Sequence, residues 1–589
     1  MATVTYLPKA TLVPAPAGRA GRRIRLAFWI FAILAAATQA WVLRDTMSHD
    51  GVSYLDMGSA VAHGDWAAAI NGYWSPLYPL LIGLAVWIVK PAPMHEFALV
   101  HAVNFLIFVA AFASFDFLLW KVSSWWPTRL AGYSVATWAL LELVTTSGVS
   151  PDMLVAAFVF GAIGLLAGIA NGDRRARSFV WLGMILGLGY YAKAPLFPLA
   201  LVCLALTLLS PAGIRRTLPK TLLAGLTFAL VAAPLVLLLS AQKQRLTFGD
   251  SGKLNYAWYV DGATYRHWQG EPLGASSEVA PHWTKGPVST GVPVHPTRQI
   301  LVAPAVYEFN GPPQGTYPVW ADPSYWNEGL RAPFDARQQL RKIAVNGKFL
   351  YSLLLNVHVT QLFHNGQWYR VFSPILLLVW LALFWKTRLA WRALSRTHWL
   401  LLVSPAAAFG MYLLVYCEPR HLAAFVAVLY LGLFAALEDR LARVARLDRT
   451  LAAAALAGAL LMTTGLSTLR LAFAPSDGFE AWQVASGLAH MGISPGARVA
   501  SLDYSNHRNV KWARLGRARI VAEIFADAYA PQGAYWKLDD AARARVLAAF
   551  EQAGANIVVD SNLPRAGGVP AGWEQIGNTR YFLYRLRAQ

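Results

Sequence analysis

Cysteine is almost missing: Cys203 and Cys417 are the only two in 589 residues, so a disulfide framework is not expected and no zinc-type cysteine pair exists. Charge is scarce as well. Asp, Glu, Lys and Arg together make 14% of the chain against 56% hydrophobic residues, which excludes a string of soluble domains and indicates a polytopic membrane protein. No glycine fingerprint of a dinucleotide site occurs, and no internal repeat of the kind common in transporters. Acidic residues are outnumbered, giving a net charge of +20. In a soluble protein that balance would suggest a nucleic acid partner, but here the basic residues sit in short segments between apolar runs, where they report topology.

Apolar runs near 26–43, 97–120, 129–147, 152–170, 178–192, 195–210, 221–240, 371–386, 398–417, 421–437 and 451–473 approach the roughly 20 residues that a bilayer core requires. The first follows a Pro/Ala/Arg-rich stretch without a small-residue cleavage site, and reads as a retained span. Pro76–Val89 is short for a crossing and is expected to dip into the outer leaflet and return. With that reading the tail with Lys9, Arg19, Arg22, Arg23 and Arg25, then Lys121/Arg129, Arg174/Arg175/Arg177, Arg215/Arg216/Lys220, Lys386/Arg388/Arg392/Arg396 and Arg440/Arg443/Arg446/Arg449 all fall on one side, the cytoplasmic side by the positive-inside bias.

The domains expected are a basic tail at 1–25, a transmembrane module at 26–240 with a first outer loop at 44–96, a large outer loop at 241–370, further transmembrane helices at 371–473 and an outer domain at 474–589. The large loop is rich in aromatic residues, as in GPPQGTYPVWADPSYW, which argues against disorder. The last region reads as a small α/β domain: helices in EAWQVASGLAHMG and DDAARARVLAAFEQAG, strands in ARVASLD, RIVAEI, NIVVD and TRYFLYRL.

The topology brings charged groups from four separate loops to one membrane boundary: His49 and Asp50 in SHDGVSYL, Asp152 in SGVSPD, Lys193 in YYAKAP, and Glu418, Arg420 and His421 in YCEPRH. Such a rim suits chemistry on a lipid phosphate, with a carboxylate to take a proton and cations to hold the phosphate. Each residue also has a plainer role. Asp50 could cap a helix, Asp152 could serve a helix start, Lys193 could reach to the head groups, and Glu418 could pair locally with Arg420. Tyr54 and Trp74 are candidates to stack on a sugar. Asp116 and Glu142 lie inside apolar runs, where hydrogen bonding between helices or protonation explains them as well as function does. His358 and His364 have no carboxylate placed with them, so no metal site is assigned, although a divalent ion is compatible with the chemistry.

In order along the chain, HDGVSYLDMG, YWSPLYPLL, SGVSPDMLVAAF, YYAKAPLFPLAL and EPRHLAAFVAVLY resemble the C-type (GT-C) glycosyltransferase superfamily, in the branch of protein mannosyltransferases and lipid A aminoarabinose transferases. The resemblance spans about the first 440 residues in layout. It implies an α-helical polytopic GT-C fold in a bacterial inner membrane, with its site on the periplasmic face. It also implies a polyprenyl-phosphate sugar donor, a cell-envelope acceptor, and Asp50 as general base. Asp152 corresponds to the acidic residue that opens the following span, and Lys193 and Arg420 to the cations on the donor phosphate. Two departures stand out: Gly51 follows Asp50 where protein mannosyltransferases have a Glu, and Trp74-Ser75-Pro76-Leu77 stands where aminoarabinose transferases have a Lys beside Pro-Pro-Leu.

Overall fold

The computed structural model describes residues 19–146, 148–263, 267–270, 289–355, 396–441, 446–473, 478–502, 505–524, 533–561, 563 and 568–586. The helices of the first half are α1 (Arg19–Val42), α2 (His49–Ala62), α3 (Leu77–Val89), α4 (Glu96–Val122), α5 (Trp126–Trp138, continued by a π turn Ala139–Val144), α6 (Asp152–Ala170), α7 (Ala176–Ala192), α8 (Leu196–Leu206) and α9 (Ile214–Lys243). After them come α10 (Ser251–Tyr259), α11 (Ala336–Leu355), α12 (Arg396–Val415), α13 (Pro419–Leu441) and α14 (Arg446–Phe473). Among the described residues seven helices are long and apolar enough to cross a membrane, and the chain is a multi-pass membrane protein. The expected spans at 129–147, 178–192 and 195–210 are also helical, but shorter or broken; the one expected at 371–386 lies outside the described residues, as do His358 and His364.

Contacts between loops define two ends. At the basic end, Asn171 Nδ2 donates to the Lys121 carbonyl at 2.9 Å, Thr397 Oγ1 to Asn171 at 2.6 Å and Lys220 Nζ to the Arg174 carbonyl at 2.5 Å. Asp116 belongs to this end. Arg25 holds it with Nη2 at 2.6 Å and Nε at 3.2 Å, and Tyr133 donates to it as well, so its charge is met inside the bundle. Glu142 sits in the π turn.

At the opposite end α2 and α3 run side by side. Tyr54 meets Tyr78 edge to face with ring centres 5.1 Å apart, and a Cβ on Gly58 would lie 2.8 Å from Ile82, so the two helices approach closely and in parallel. Tyr78 donates to Asn104 at 2.6 Å, two turns into α4. The small Gly58 and Gly83 give α3 a packing partner in α2, while Leu84, Trp87, Ile88 and Val89 at its far end are exposed.

The domain expected on the outer side is a seven-stranded sheet in the order β1-β2-β4-β3-β5-β7-β6, with β1 Arg298–Leu301, β2 Val306–Glu308, β3 Arg498–Ser501, β4 Arg519–Ile524, β5 Ile557–Asp560, β6 Trp573–Gln575 and β7 Phe582–Arg585. Its helices are α15 (Gly478–His490), α16 (Ser505–Leu515) and α17 (Asp540–Gln552). Strands β4, β3 and β5 are parallel, as their connections through α16 and α17 require. The four strands expected from the tail are all present. Two more come from the large loop: β2 pairs antiparallel with β4, Val306 opposite Ile524 and Glu308 opposite Ala522. All of β4 after Arg519 is buried, so an open edge there would leave backbone groups unpaired. The regions 241–370 and 474–589 therefore share one sheet.

Candidate active site

Helix α2 begins at His49, and Ser48 caps it, accepting from the Gly51 N–H at 3.0 Å. Asp50 is thereby released from the capping role considered for it and stands in the first turn, where the helix dipole favours a carboxylate. Gly51 is dictated by contact: a Cβ there would lie 2.4 Å from Met47 Sδ and 2.7 Å from Val149 Cγ1. The glutamate found at this place in protein mannosyltransferases would not fit.

Three loops meet at Arg420, its own and those of Asp50 and Asp152, and Lys193 adds a fourth through Asp152. Arg420 Nη2 faces Asp50 Oδ2 at 3.5 Å, and its Nε lies 3.6 Å from Asp152 Oδ2 and 2.6 Å from Glu418 Oε2. Asp152 does not cap α6; its Oδ1 takes Lys193 Nζ at 2.5 Å and its Oδ2 takes the Ser150 hydroxyl at 2.9 Å. Lys193 therefore points to Asp152 and not to lipid head groups. Glu418 accepts from Tyr416 at 2.9 Å, and His421 Nε2 is 3.7 Å from it. His49 Nε2 is 3.3 Å from Asp50 Oδ1. All the charged rim residues predicted from the sequence are thus in one cluster of three carboxylates and two fixed cations.

Burial alone would raise the Asp50 carboxyl, but the charges of His49 and Arg420 and the Trp320 N–H outweigh it and hold the group below the usual carboxylate range. Glu418 is lowered in the same way, burial being outweighed by His421, Arg420 and Tyr416. Asp50 is ionised at neutral pH.

Trp320 is the residue the sequence did not single out. Its Nε1 donates to Asp50 Oδ1 at 3.0 Å, while its carbonyl accepts from Ser53 Oγ at 2.9 Å and Trp74 Nε1 at 3.0 Å. Trp74 and Tyr54 form an aromatic wall with ring centres 5.0 Å apart, extended by Tyr73, Trp258 and Trp320. Tyr54, Trp74, Trp258 and Trp320 are all buried, and Tyr73 is half-buried. Only the density of aromatics in GTYPVWADPSYW hinted at Trp320.

The large loop is fixed on its far side too. Asp56, six residues beyond Asp50 and so about 9 Å along the helix, accepts from Thr316 N at 2.8 Å, Thr316 Oγ1 at 2.9 Å and Arg514 Nη1 at 2.8 Å. Arg514 also binds Glu96 at 2.9 Å, and Arg517 binds Glu96 at 2.5 Å. In the loop–sheet interface, Glu523 accepts from Tyr317 at 2.8 Å and is 2.5 Å from buried His267. The outer domain is thus pinned to the helix that carries Asp50.

Two cavities lie between the elements that carry these residues. One is narrow and apolar and lies between α6, α7, α8, α12 and α13, lined by Phe158, Ile163, Gly189, Leu196, Cys203 and Phe425 among others; Gly189 and Leu196 bracket Lys193 in sequence. The other, of about 950 Å³, is polar and lies between α2, the large loop and the outer domain, with Asp56, His63, Arg514, Arg517 and Arg519 on its walls. Among the described residues no three His, Cys, Asp or Glu side chains are grouped to hold a metal ion.

No protein-family model matches the chain, and no curated protein matches it in sequence. Solved structures do match. ArnT from Cupriavidus metallidurans bound to undecaprenyl phosphate is 11% identical, with a TM-score of 0.51 over 95% of this chain and 98% of that one. The same protein without ligand gives 11% identity and a TM-score of 0.48 over 96% and 99%. The oligosaccharyltransferase AglB from Archaeoglobus fulgidus, in complex with an inhibitory peptide and a dolichol-phosphate, gives 12% and 0.46 over 92% and 70%. The first of these likenesses, end to end in both chains, establishes the GT-C fold expected from the sequence motifs.

Proposed function

We propose that this protein is a membrane glycosyltransferase that moves a sugar from a polyprenyl-phosphate donor to a hydroxyl-bearing acceptor of the cell envelope, with inversion at the anomeric carbon. The observation that carries the reading is Arg420, one guanidinium facing Asp50, Asp152 and Glu418 within 3.6 Å. The fold likeness to a protein solved with undecaprenyl phosphate supports the donor class.

In this mechanism the acceptor hydroxyl attacks the anomeric carbon as the carbon–phosphate oxygen bond breaks, and the electron pair leaves with the polyprenyl phosphate. Asp50 takes the hydroxyl proton. Its Oδ1 is occupied by Trp320 and His49, while among the described residues Oδ2 faces Arg420 alone, at 3.5 Å, so Oδ2 is the oxygen for the proton. Lys193 and Arg420 neutralise the leaving phosphate from positions set before the reaction. Lys193 is the more exposed member of its pair, 21% against 2% for Asp152. It can turn to the phosphate while Asp152 keeps Arg420 and Ser150. Asp152 and Glu418 orient the cations, and His421 neighbours both. The polar cleft beside Asp56 admits the acceptor from the outer, periplasmic face.

A transporter would need ionisable groups along a path through the bundle. Asp116 is instead neutralised by Arg25, and no second reading is favoured. The test is transfer in proteoliposomes holding purified protein, labelled polyprenyl-phosphate sugars and envelope acceptors. Expected is label on the acceptor with release of unglycosylated polyprenyl phosphate. Label that crosses the bilayer with the sugar–phosphate bond intact would refute the proposal.

A further inference from the structure

At the basic end, far from Asp50, a groove of about 600 Å³ opens between α4, α6 and α7. Its floor is α6. A Cβ on Gly164 would strike the Phe117 ring at 2.6 Å, whereas one on Gly168, a turn nearer the basic end, would meet nothing within 4 Å; the helices touch at the first glycine and part at the second. Phe117 and Trp181 wall the groove and are 38% and 55% exposed, as side chains facing acyl chains would be. At the mouth stand Lys121, Arg175, Arg177 and Asp173.

The charges at the mouth do not cancel. Asp173 is taken up by Arg175, through Nε at 2.9 Å and Nη2 at 2.7 Å, and by the Ser178 hydroxyl at 2.9 Å. Among the described residues no carboxylate pairs with Lys121 or Arg177, and Lys121 Nζ leans over the Phe117 ring at 5.5 Å. Two surplus cations thus lie where helices leave the bilayer, above an aromatic trough. Trp181 is four residues deeper than Arg177, about 6 Å along α7, near the distance from a lipid phosphate to the top of its acyl chains.

We propose that this groove binds an anionic glycerophospholipid of the leaflet at the basic end, its phosphate between Lys121 and Arg177 and one acyl chain over Gly168 between Phe117 and Trp181. Basic pockets between helices on the positive side of a membrane protein favour such head groups, and a free phosphate would have no use for the trough.

Delipidated protein in a neutral detergent would be titrated with phosphatidylglycerol, phosphatidylcholine or inorganic phosphate and followed by native mass spectrometry. Expected is one tightly retained phosphatidylglycerol, with retention of phosphatidylcholine at least about tenfold weaker. Lys121→Gln with Arg177→Gln should weaken retention about thirtyfold, from roughly fivefold per cation near the surface, and Lys121→Arg with Arg177→Lys should restore it. Gly168→Leu, which adds a side chain into open space, should also abolish retention. The proposal is overturned if both lipids bind alike, if inorganic phosphate displaces the lipid at equal concentration, or if neither the charge pair nor Gly168→Leu changes retention.

Discussion

Replacing Lys193 by methionine takes the cation from Asp152, whose side chain is 2% exposed, and leaves it Arg420 at 3.6 Å and the Ser150 hydroxyl at 2.9 Å. Stripping one partner from a buried pair typically costs about 3–5 kcal/mol; with two partners remaining, the lower end, about 3 kcal/mol, is expected. Asp152→Asn in the same background removes the stranded charge. The double variant should therefore regain most of that loss and stand within about 1 kcal/mol of the parent, a coupling of at least about 2 kcal/mol once the cost of Asp152→Asn alone is added. Chemical unfolding in detergent, followed by tryptophan fluorescence on the four proteins of the cycle, reads it. Activity should not follow stability. In both Lys193 variants the leaving phosphate lacks a cation worth roughly 3–4 kcal/mol in the transition state, so sugar transfer should stay about 10²–10³ times slower. Additive stability losses, or transfer that recovers together with stability, would refute the assignment of Lys193 to both carboxylate and phosphate.

Trp320→Phe keeps the aromatic wall and removes the N–H from Asp50; the loss of a charge-assisted hydrogen bond should raise the Asp50 pKa by about one unit, seen as an upward shift of the acid limb of kcat/KM, and an unmoved limb would remove Trp320 from the site. Gly51→Ala should destabilise by about 1–3 kcal/mol through overpacking and slow transfer by displacing Asp50, whereas Gly252→Ala, which faces open space, should do neither. The Asp261 carboxyl is buried, has no hydrogen-bond partner among the described residues and sits near Asp335; burial, then Asp335, push its pKa up to about 7. A carboxyl whose folded pKa is raised destabilises progressively as pH climbs from its unfolded value toward 7, so Asp261→Asn should raise the thermal midpoint at pH 8 and leave it unchanged at pH 4.

Much of this fold was written in hydropathy. Long runs such as 97–120 and 152–170 became helices because a bilayer leaves backbone groups no other partner, and counting arginines sorted the loops well enough to bring Asp50, Asp152, Lys193 and Arg420 together before any coordinates. What escaped was of two kinds. Strands β1 and β2 are four and three residues long and exist because β4 needs an edge partner more than 200 residues away, a demand no local pattern carries. Trp320 reaches Asp50 across 270 positions, and one tryptophan among several in its loop gives no local sign of which will turn inward. The close approach of α3 to α2 at Gly58 and Gly83 was hidden for a related reason: a tertiary contact leaves no local pattern.

The most direct test of the central claim is Asp50→Asn, a change that keeps size and the hydrogen bond from Trp320 while removing the base. Purified parent and variant would be compared in proteoliposomes for transfer from the labelled polyprenyl-phosphate sugar that the parent uses. Retention of that donor, followed by native mass spectrometry, shows that the site is intact. Transfer by the variant should fall by about 10²–10⁴, the usual contribution of a positioned base, with donor retention changed less than about threefold. A variant that binds the donor and transfers at the parent's rate would contradict Asp50 as the base.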